Sequence, residues 1–374
     1  MTEIYPPNSR LVSLDVMRGL AVIGMILANA TDGVKEGLGA HVFPQLLHEP
    51  WQGLHFADTV FPAFLMMMGV SVPMALTKAK VATGLNGEQF RRIFWRTFRL
   101  VFLGFLLVNL DWFAHFGGTT WRLFGVLQRI GLVYGACAIL YFLCSPRVRL
   151  VIIAALLLLY WPLALLPQID AGPSDIWVRG HNFIGSFDRV WLGAGGHNYV
   201  RGPEGYDPEG LLGTLPAVAH GLIGVAVGEW LQRMRSRDAG LKLALAGIGT
   251  LIAGCLWGFI FPVVKDIWSS PFVLVTCGLT TFLLAILHLC LDGREKVSVW
   301  ALFPMAIGMN AMTAYVLDEV CAGMPTWSLF ALPYHLSRPY IYEPIAALLP
   351  VIAFLMCIWL VTERMRRKGL VIKI

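Results

Sequence analysis

The chain has 374 residues, 57% of them hydrophobic and only 14% charged, and carries a formal net charge of +6. That composition is too apolar for a water-soluble domain of this size and identifies an integral membrane protein. Several apolar runs reach the roughly 20 residues that cross a hydrocarbon core as a helix, which excludes a barrel, and the positive charge forms collars between those runs, which argues against a nucleic-acid surface.

Taken in chain order, the apolar runs and their polar breaks predict spans near 11–31, 54–77, 93–110, 123–143, 149–166, 211–231, 241–261, 272–291, 297–318 and 343–362. With the N-terminus inside, all but eight of the 29 lysines and arginines fall on the cytoplasmic side; the eight are Lys35, Arg122, Arg129, Arg179, Arg189, Arg201, Lys265 and Arg338. This positive-inside bias predicts an all-α polytopic protein of about ten transmembrane helices with both termini cytoplasmic. Met1–Arg10 is polar and the run after it lacks a small-residue cleavage site, so no signal peptide is expected. Residues 1–374 read as a single transmembrane domain without tandem repeats. Its external stretches are 32–53, 167–210 and 319–342. The middle one sets Trp177, Trp191, Tyr199 and Tyr206 among Asn182, Asn198, Asp207 and Glu209, a mixture suited to stacking on a sugar and bonding its hydroxyls, and equally to an interfacial aromatic belt.

Polar residues inside the spans are the informative ones, because an ionisable group at membrane depth must face a partner or water. In the first span, Asp15 and Arg18 are three apart and share a helix face, and Asn29 stands near its far end. An ion pair and an anionic-cofactor site are both open for the first two. The second span opens with "HEPWQGLHFADTVF", which buries Asp58 about one turn into the apolar run. The natural partner of such a carboxylate is an imidazole N–H, which would raise the basicity of the other ring nitrogen. His55 has the helical spacing for that role, whereas His48 precedes the helix and needs the Pro50 turn to fold it back; the sequence mechanics leave both open. Arg129 in "GVLQRIG" is expected to line a cavity or to bind an anion or a carbonyl, and Asn310 in "GMNAM" to face inward. The seven cysteines mostly lie in apolar runs, with neither a disulfide framework nor metal-ligand spacing, and are expected to be small buried side chains. On residues alone, an internal polar cavity fits a membrane-embedded enzyme and a transporter equally, while a non-catalytic scaffold would leave Asp58 and Arg129 unexplained.

Five segments carry a resemblance: "RLVSLDVMRGLAV" at 10–22, "HEPWQGLHFADTVFPAFLMMMG" at 48–69, "GVLQRIGLVY" at 125–134, "YDPEGLLGT" at 206–214 and "GMNAMTAYV" at 308–316. Their identity and order resemble the membrane catalytic region of the heparan-α-glucosaminide N-acetyltransferase family and its bacterial members. The resemblance implies transfer of acetyl from cytoplasmic acetyl-CoA, as co-substrate, to the amine of a glucosamine-type sugar on the other side. It implies His48 as the acetyl-handling residue, with Asp58 and Asn29 beside it. Arg18, Arg96, Arg99 and Arg129 are then candidates for the cofactor, and Asp207, Glu209 and Asn310 for the sugar, with no metal. A homodimer in the bacterial inner membrane is the implied setting. Two departures stand out: the interval from Asn29 to His48 is longer than in the animal enzyme, and its large lumenal domain has no counterpart in these residues. Both argue against the polysaccharide acceptor and for glucosamine, chitosan fragments or cell-wall amino sugars. The competing reading is an inner-membrane carrier of N-acetylglucosamine or a related amino sugar.

Overall fold

The computed structural model describes residues 11–115, 120–193, 197–233, 237–292, 294, 296–322 and 326–372. The N-terminal segment 1–10, the cations Arg10, Arg235 and Lys373, and residues 194–196 and 323–325 of the expected external stretches lie outside the described residues.

Every one of the ten expected runs is helical. The helices are α1 (Val12–Leu38), α2 (Phe56–Thr83), α3 (Gly87–Val108), α4 (Leu110–Ala114), α5 (Val126–Leu143), α6 (Pro146–Ala164), α7 (Phe183–Leu192) and α8 (Thr214–Arg233). They continue with α9 (Arg237–Trp257), α10 (Ser270–Leu291), α11 (Val299–Met309), α12 (Ala311–Ala322), α13 (Thr326–Ser337) and α14 (Glu343–Arg367). Among the described residues, eight helices are long and apolar enough to cross a membrane: α1, α2, α5, α6, α8, α9, α10 and α14. The pair α11 and α12, bent by 71° at its break, makes a ninth if it is one span. The remaining expected span is α3, whose first turns carry Arg91, Arg92, Arg96 and Arg99 and so exceed the charge content of a simple span.

Local signals place the ends. Asn86, Ser145 and Asn182 cap α3, α6 and α7 by accepting a hydrogen bond from the backbone N–H three residues on. Helix α1 runs seven residues beyond the expected end at 31, until Gly39 adopts a left-handed conformation with φ 63°. The stretch 319–342 likewise holds the end of α12 and all of α13.

The described residues divide into two compact units: the first comprises Trp51–Gly53 and residues 65–286, the second residues 11–50, Leu54–Phe64 and residues 287–372. In the first, α8 presents Gly221, Gly224 and Gly228 to α2, and a Cβ at Gly224 or Gly228 would overlap the carbonyls of Met66 or Val70. This is the small-residue crossing that lets membrane helices approach backbone to backbone. The long stretch 167–210 is folded around buried Arg189, which donates to Asp170, Gln168 and the carbonyls of Gly180 and Gly205. Beside it, Trp51 donates to the Ile176 carbonyl at 3.1 Å and meets the ring of buried Tyr206 edge-on, whereas Trp177, Trp191 and Tyr199 are exposed.

In the second unit, α1 is central and packs on α11, α12, α13 and α14. A Cβ on Gly19 would overlap the Pro304 carbonyl and one on Gly308 the Asp15 carbonyl, so both crossing points of α1 and α11 require glycine. Trp327 lies across Gly33 and Gly37. The cysteines depart from the expectation: all seven are free, but only Cys137 and Cys277 are buried, while Cys255, Cys290 and Cys357 are exposed on apolar helices.

Candidate active site

The N-terminus of α2 organises the site of the second unit. Asp58 is the third residue of α2 and is fully buried. Its Oδ1 lies 2.9 Å from His48 Nδ1, and its Oδ2 accepts the backbone N–H of both Glu49 and His55 at 3.0 Å. The bond from His55 is the backward half of a helix-start capping box, in which a third-position carboxylate reaches back to the N–H just outside the helix. This is why the spacing that favoured the His55 ring misleads: the three-residue interval delivers its backbone. The His55 ring turns away, with Nδ1 3.1 Å from the Leu47 carbonyl and Nε2 3.0 Å from a Glu49 carboxylate oxygen. Both of its nitrogens face acceptors.

His48 is arranged differently. A carboxylate oxygen accepts, so Nδ1 carries the proton facing Asp58 and Nε2 is the basic nitrogen. The imidazole is half exposed, with 52% of the side chain accessible, above a carboxylate that has no exposure. One ring edge is therefore fixed by a buried acid, and about half of the side chain is accessible.

Asn29 lies on α1, and Gly24, five residues earlier, contacts Phe56 and Val60, which flank Asp58. Asn29 Nδ2 donates to Asp318 Oδ2 at 2.7 Å. Asp318 is fully buried and escaped the sequence reading because the ninth span was drawn to end on it; its signal was a carboxylate inside an apolar helix. Asn310 occupies the break between α11 and α12 and is buried, with neither side-chain polar atom hydrogen-bonded among the described residues. Asp15 and Arg18 pair as their spacing predicted, at 3.2 Å.

The first unit gathers a second constellation. Arg122 donates from Nε and Nη2 to the two oxygens of Asp207, at 2.8 and 2.7 Å, and also bonds Glu209. Asp207 further accepts the backbone N–H of Tyr199 and of Glu209. Burial opposes the charge of both Arg122 and Glu209 and is outweighed: the bond to Asp207 and the charges of Glu209 and Asp207 hold the guanidinium above its usual range, and the charges of Arg122, Arg129 and Lys265 hold the Glu209 carboxyl below its own. Asp188, close by, accepts the backbone N–H of Leu211 and is pushed up to about 7 by burial and then by the charge of Asp207. A Cβ on Gly210 would overlap the Asp188 carboxylate, and one on Gly213 would come within 2.9 Å of Arg129, so these two glycines of "YDPEGLLGT" make room for charged groups.

Arg129 is 1% exposed, donates to the Gly210 carbonyl at 3.1 Å and lies 4.9 Å over the ring of Trp268, so the carbonyl-binding alternative is the one realised. Trp268 holds a left-handed backbone, φ 51°, which a bulky residue rarely adopts. Arg129 thus joins Asp207 and Glu209. Arg96, by contrast, stacks over Tyr134 at 4.4 Å, and Arg99 lines an open concavity of about 440 Å³ with Arg91, Arg92 and Trp95. Arg122, the residue that holds the two acids, was visible in sequence only as one of the few cations outside the cytoplasmic collars. Among the described residues no group of His, Cys, Asp and Glu has the geometry to hold a metal ion.

These features define a polytopic helical membrane protein with a histidine–carboxylate pair at the start of one apolar helix. The family model described as "Heparan-alpha-glucosaminide N-acetyltransferase, catalytic" matches residues 10–254, a stretch that includes Asn29, His48 and Asp58. The chain belongs to this family. The human heparan-alpha-glucosaminide N-acetyltransferase is 28% identical over 369 residues, covering 84% of this chain and 53% of the human protein. The mouse protein of the same name is 27% identical over 366 residues, covering 83% and 54%. The chain therefore spans about half the length of the curated relatives it matches.

Proposed function

We propose that the protein is a transmembrane N-acetyltransferase that moves acetyl from cytoplasmic acetyl-CoA to the amine of a glucosamine-type sugar on the opposite face of a bacterial inner membrane. The observation that carries this reading is the His48–Asp58 pair, a half-exposed imidazole held at 2.9 Å by a buried carboxylate. Acyl transfer from a thioester needs a base for the attacking amine and little help for the leaving thiolate. The nitrogen–carbon bond forms, the carbon–sulfur bond breaks, CoA leaves as the thiolate, and the proton shed by nitrogen passes to His48 Nε2. Asp58 stabilises the imidazolium that results. His48 acts as that base or as the transient acetyl carrier, alternatives that trapping a covalent intermediate at short times separates.

Asn29 keeps one amide hydrogen beyond the one given to Asp318, and this second hydrogen suits a developing oxyanion. Arg18, Arg96 and Arg99 suit the CoA phosphates. Arg129 is buried against a carbonyl, which fits support of the Asp207–Glu209 segment better than direct contact with a cofactor. Asp207 and Glu209, gripped by Arg122, hold the external segment in its fold, where they are candidates for sugar hydroxyls; in the second unit Asn310 is a candidate to offer the sugar an amide. A homodimer is part of the same proposal and rests on the family likeness alone.

The test is release of free CoA by the purified protein supplied with acetyl-CoA and glucosamine, together with N-acetylglucosamine as product; absence of both in active-site-intact protein overturns the reading. The 71° break at Asn310 favours one alternative, a sugar carrier, because interrupted spans line substrate sites in transporters. Uptake of labelled N-acetylglucosamine into vesicles without acetyl-CoA is the outcome that would support it.

A further inference from the structure

Two of the membrane-depth carboxylates of the second unit are visibly provided for: Asp15 by Arg18, and Asp58 by an imidazole and two backbone N–H groups. Asp318 is not. It has no exposure, its Oδ2 accepts a single neutral donor from Asn29, and its Oδ1 has no hydrogen-bond partner among the described residues. An ionised carboxylate buried at such a depth is costly unless a cation or further donors reach it.

Other polar atoms of the same unit are also under-used. Thr313 Oγ1 and both side-chain atoms of Asn310, on the α11–α12 segment that carries Asp318, are buried without a hydrogen-bond partner among the described residues, as is Thr31 Oγ1 on α1. Buried polar side chains are nearly always bonded, so unpaired ones on a broken span point to a polar occupant. Hydroxyls and amides are the partners a sugar ring requires, and a lone carboxylate oxygen is the partner an ammonium requires.

We propose that Asp318 Oδ1 is the counter-charge for the protonated amine of the sugar acceptor, with Asn29 holding the carboxylate in place through Oδ2. The inference rests on the acetyltransferase reading and assigns the acceptor's amine to a residue outside the His48–Asp58 pair. An ammonium brings three donors and a positive charge, and Asp318 has one unused acceptor for them. Before attack the ammonium loses one proton to water and the neutral amine turns to the acetyl carbon; the second proton passes to His48 Nε2 as the carbon–nitrogen bond forms. After transfer the nitrogen is an uncharged amide, so the attraction to Asp318 disappears and the product leaves. Asp318 thus selects for the substrate and against the product.

The experiment measures equilibrium binding of glucosamine, glucose and N-acetylglucosamine to the purified full-length protein in the absence of acetyl-CoA. Wild type is expected to prefer glucosamine over both uncharged sugars by about tenfold or more, the size of a charge-assisted buried hydrogen bond. Equal affinities in wild type overturn the proposal without any variant. Asp318→Asn retains an acceptor oxygen for Asn29 and is expected to lose most of the preference while binding acetyl-CoA as wild type does. Retention of the full preference by Asp318→Asn overturns the assignment even if CoA release by wild type is intact. Conversely, wild type that prefers glucosamine but never releases CoA overturns the transferase reading and leaves the amine subsite standing.

Discussion

Two sets of buried acids, one in each unit, are partnered in opposite ways. In the first, Asp207 and Glu209 are clamped by Arg122, a permanently charged fork whose donors match a carboxylate. In the second, Asp58 meets an imidazole and Asp318 an amide. An arginine locks a carboxylate into one charge state and one geometry, which suits a segment that must stay folded. Imidazole and amide partners leave a proton or a ligand free to come and go. Under the proposed function, the difference between structural and reactive acids lies in the partner, because all four of these carboxylates are buried.

The largest test of that contrast is His48→Ala. Loss of the base predicts a fall in CoA release by a factor of roughly 10² to 10⁴ in a protein that still folds, with a melting midpoint lowered only by the lost contact to buried Asp58. Wild-type turnover in this variant would remove the reactive half of the comparison.

Arg122→Ala addresses the structural half. It strands Asp207 and Glu209 in a buried environment, which typically costs about 3 to 5 kcal/mol when one partner of a buried pair is removed. Thermal unfolding in detergent should drop accordingly, and a melting curve that does not move would mean the clamp is not what orders the segment.

A smaller effect is expected for Gly308→Ala, whose Cβ meets the Asp15 carbonyl at the α1–α11 crossing. Forcing those backbones apart should cost about 1 to 3 kcal/mol, measurable as a lower midpoint of denaturation.

The smallest is a pH effect from Asp188. Its folded-state value is raised from 3.8 to about 7, so the folded protein binds this proton more tightly than the unfolded chain. The stabilisation is fully present below about pH 4 and is lost as pH rises through 7. Asp188→Asn should be relatively more stable than wild type at pH 8 than at pH 5; the same difference at both pH values would show that Asp188 does not titrate there.

Much of this was legible from residues alone, for definable reasons. A membrane leaves the backbone no option but the helix, so each of the ten apolar runs falls on a helix, while the short α4, α7 and α13 were not located this way. The i, i+3 spacing of Asp15 and Arg18 stays within one helix and was enough to pair them. Spacing failed at Asp58, where the partner lies on a loop: the same interval that places two rings on one helix face becomes, at a helix start, a backbone cap. The family likeness pointed to His48, and the chain's path through Glu49 and Pro50 is what delivers that ring.

What the sequence determined by itself, then, was the membrane setting, the helices and which polar residues were too costly to be idle, since each follows from local composition and a fixed helical period. Tertiary structure alone decided the partners: His48 rather than the His55 ring for Asp58, Arg122 for Asp207 and Glu209, and Asp318 for Asn29, 289 residues away along the chain. A carboxylate's function depends on whether it meets a fixed charge, a titratable ring or a neutral amide, and such meetings are made by packing between helices distant in sequence, which no local spacing encodes.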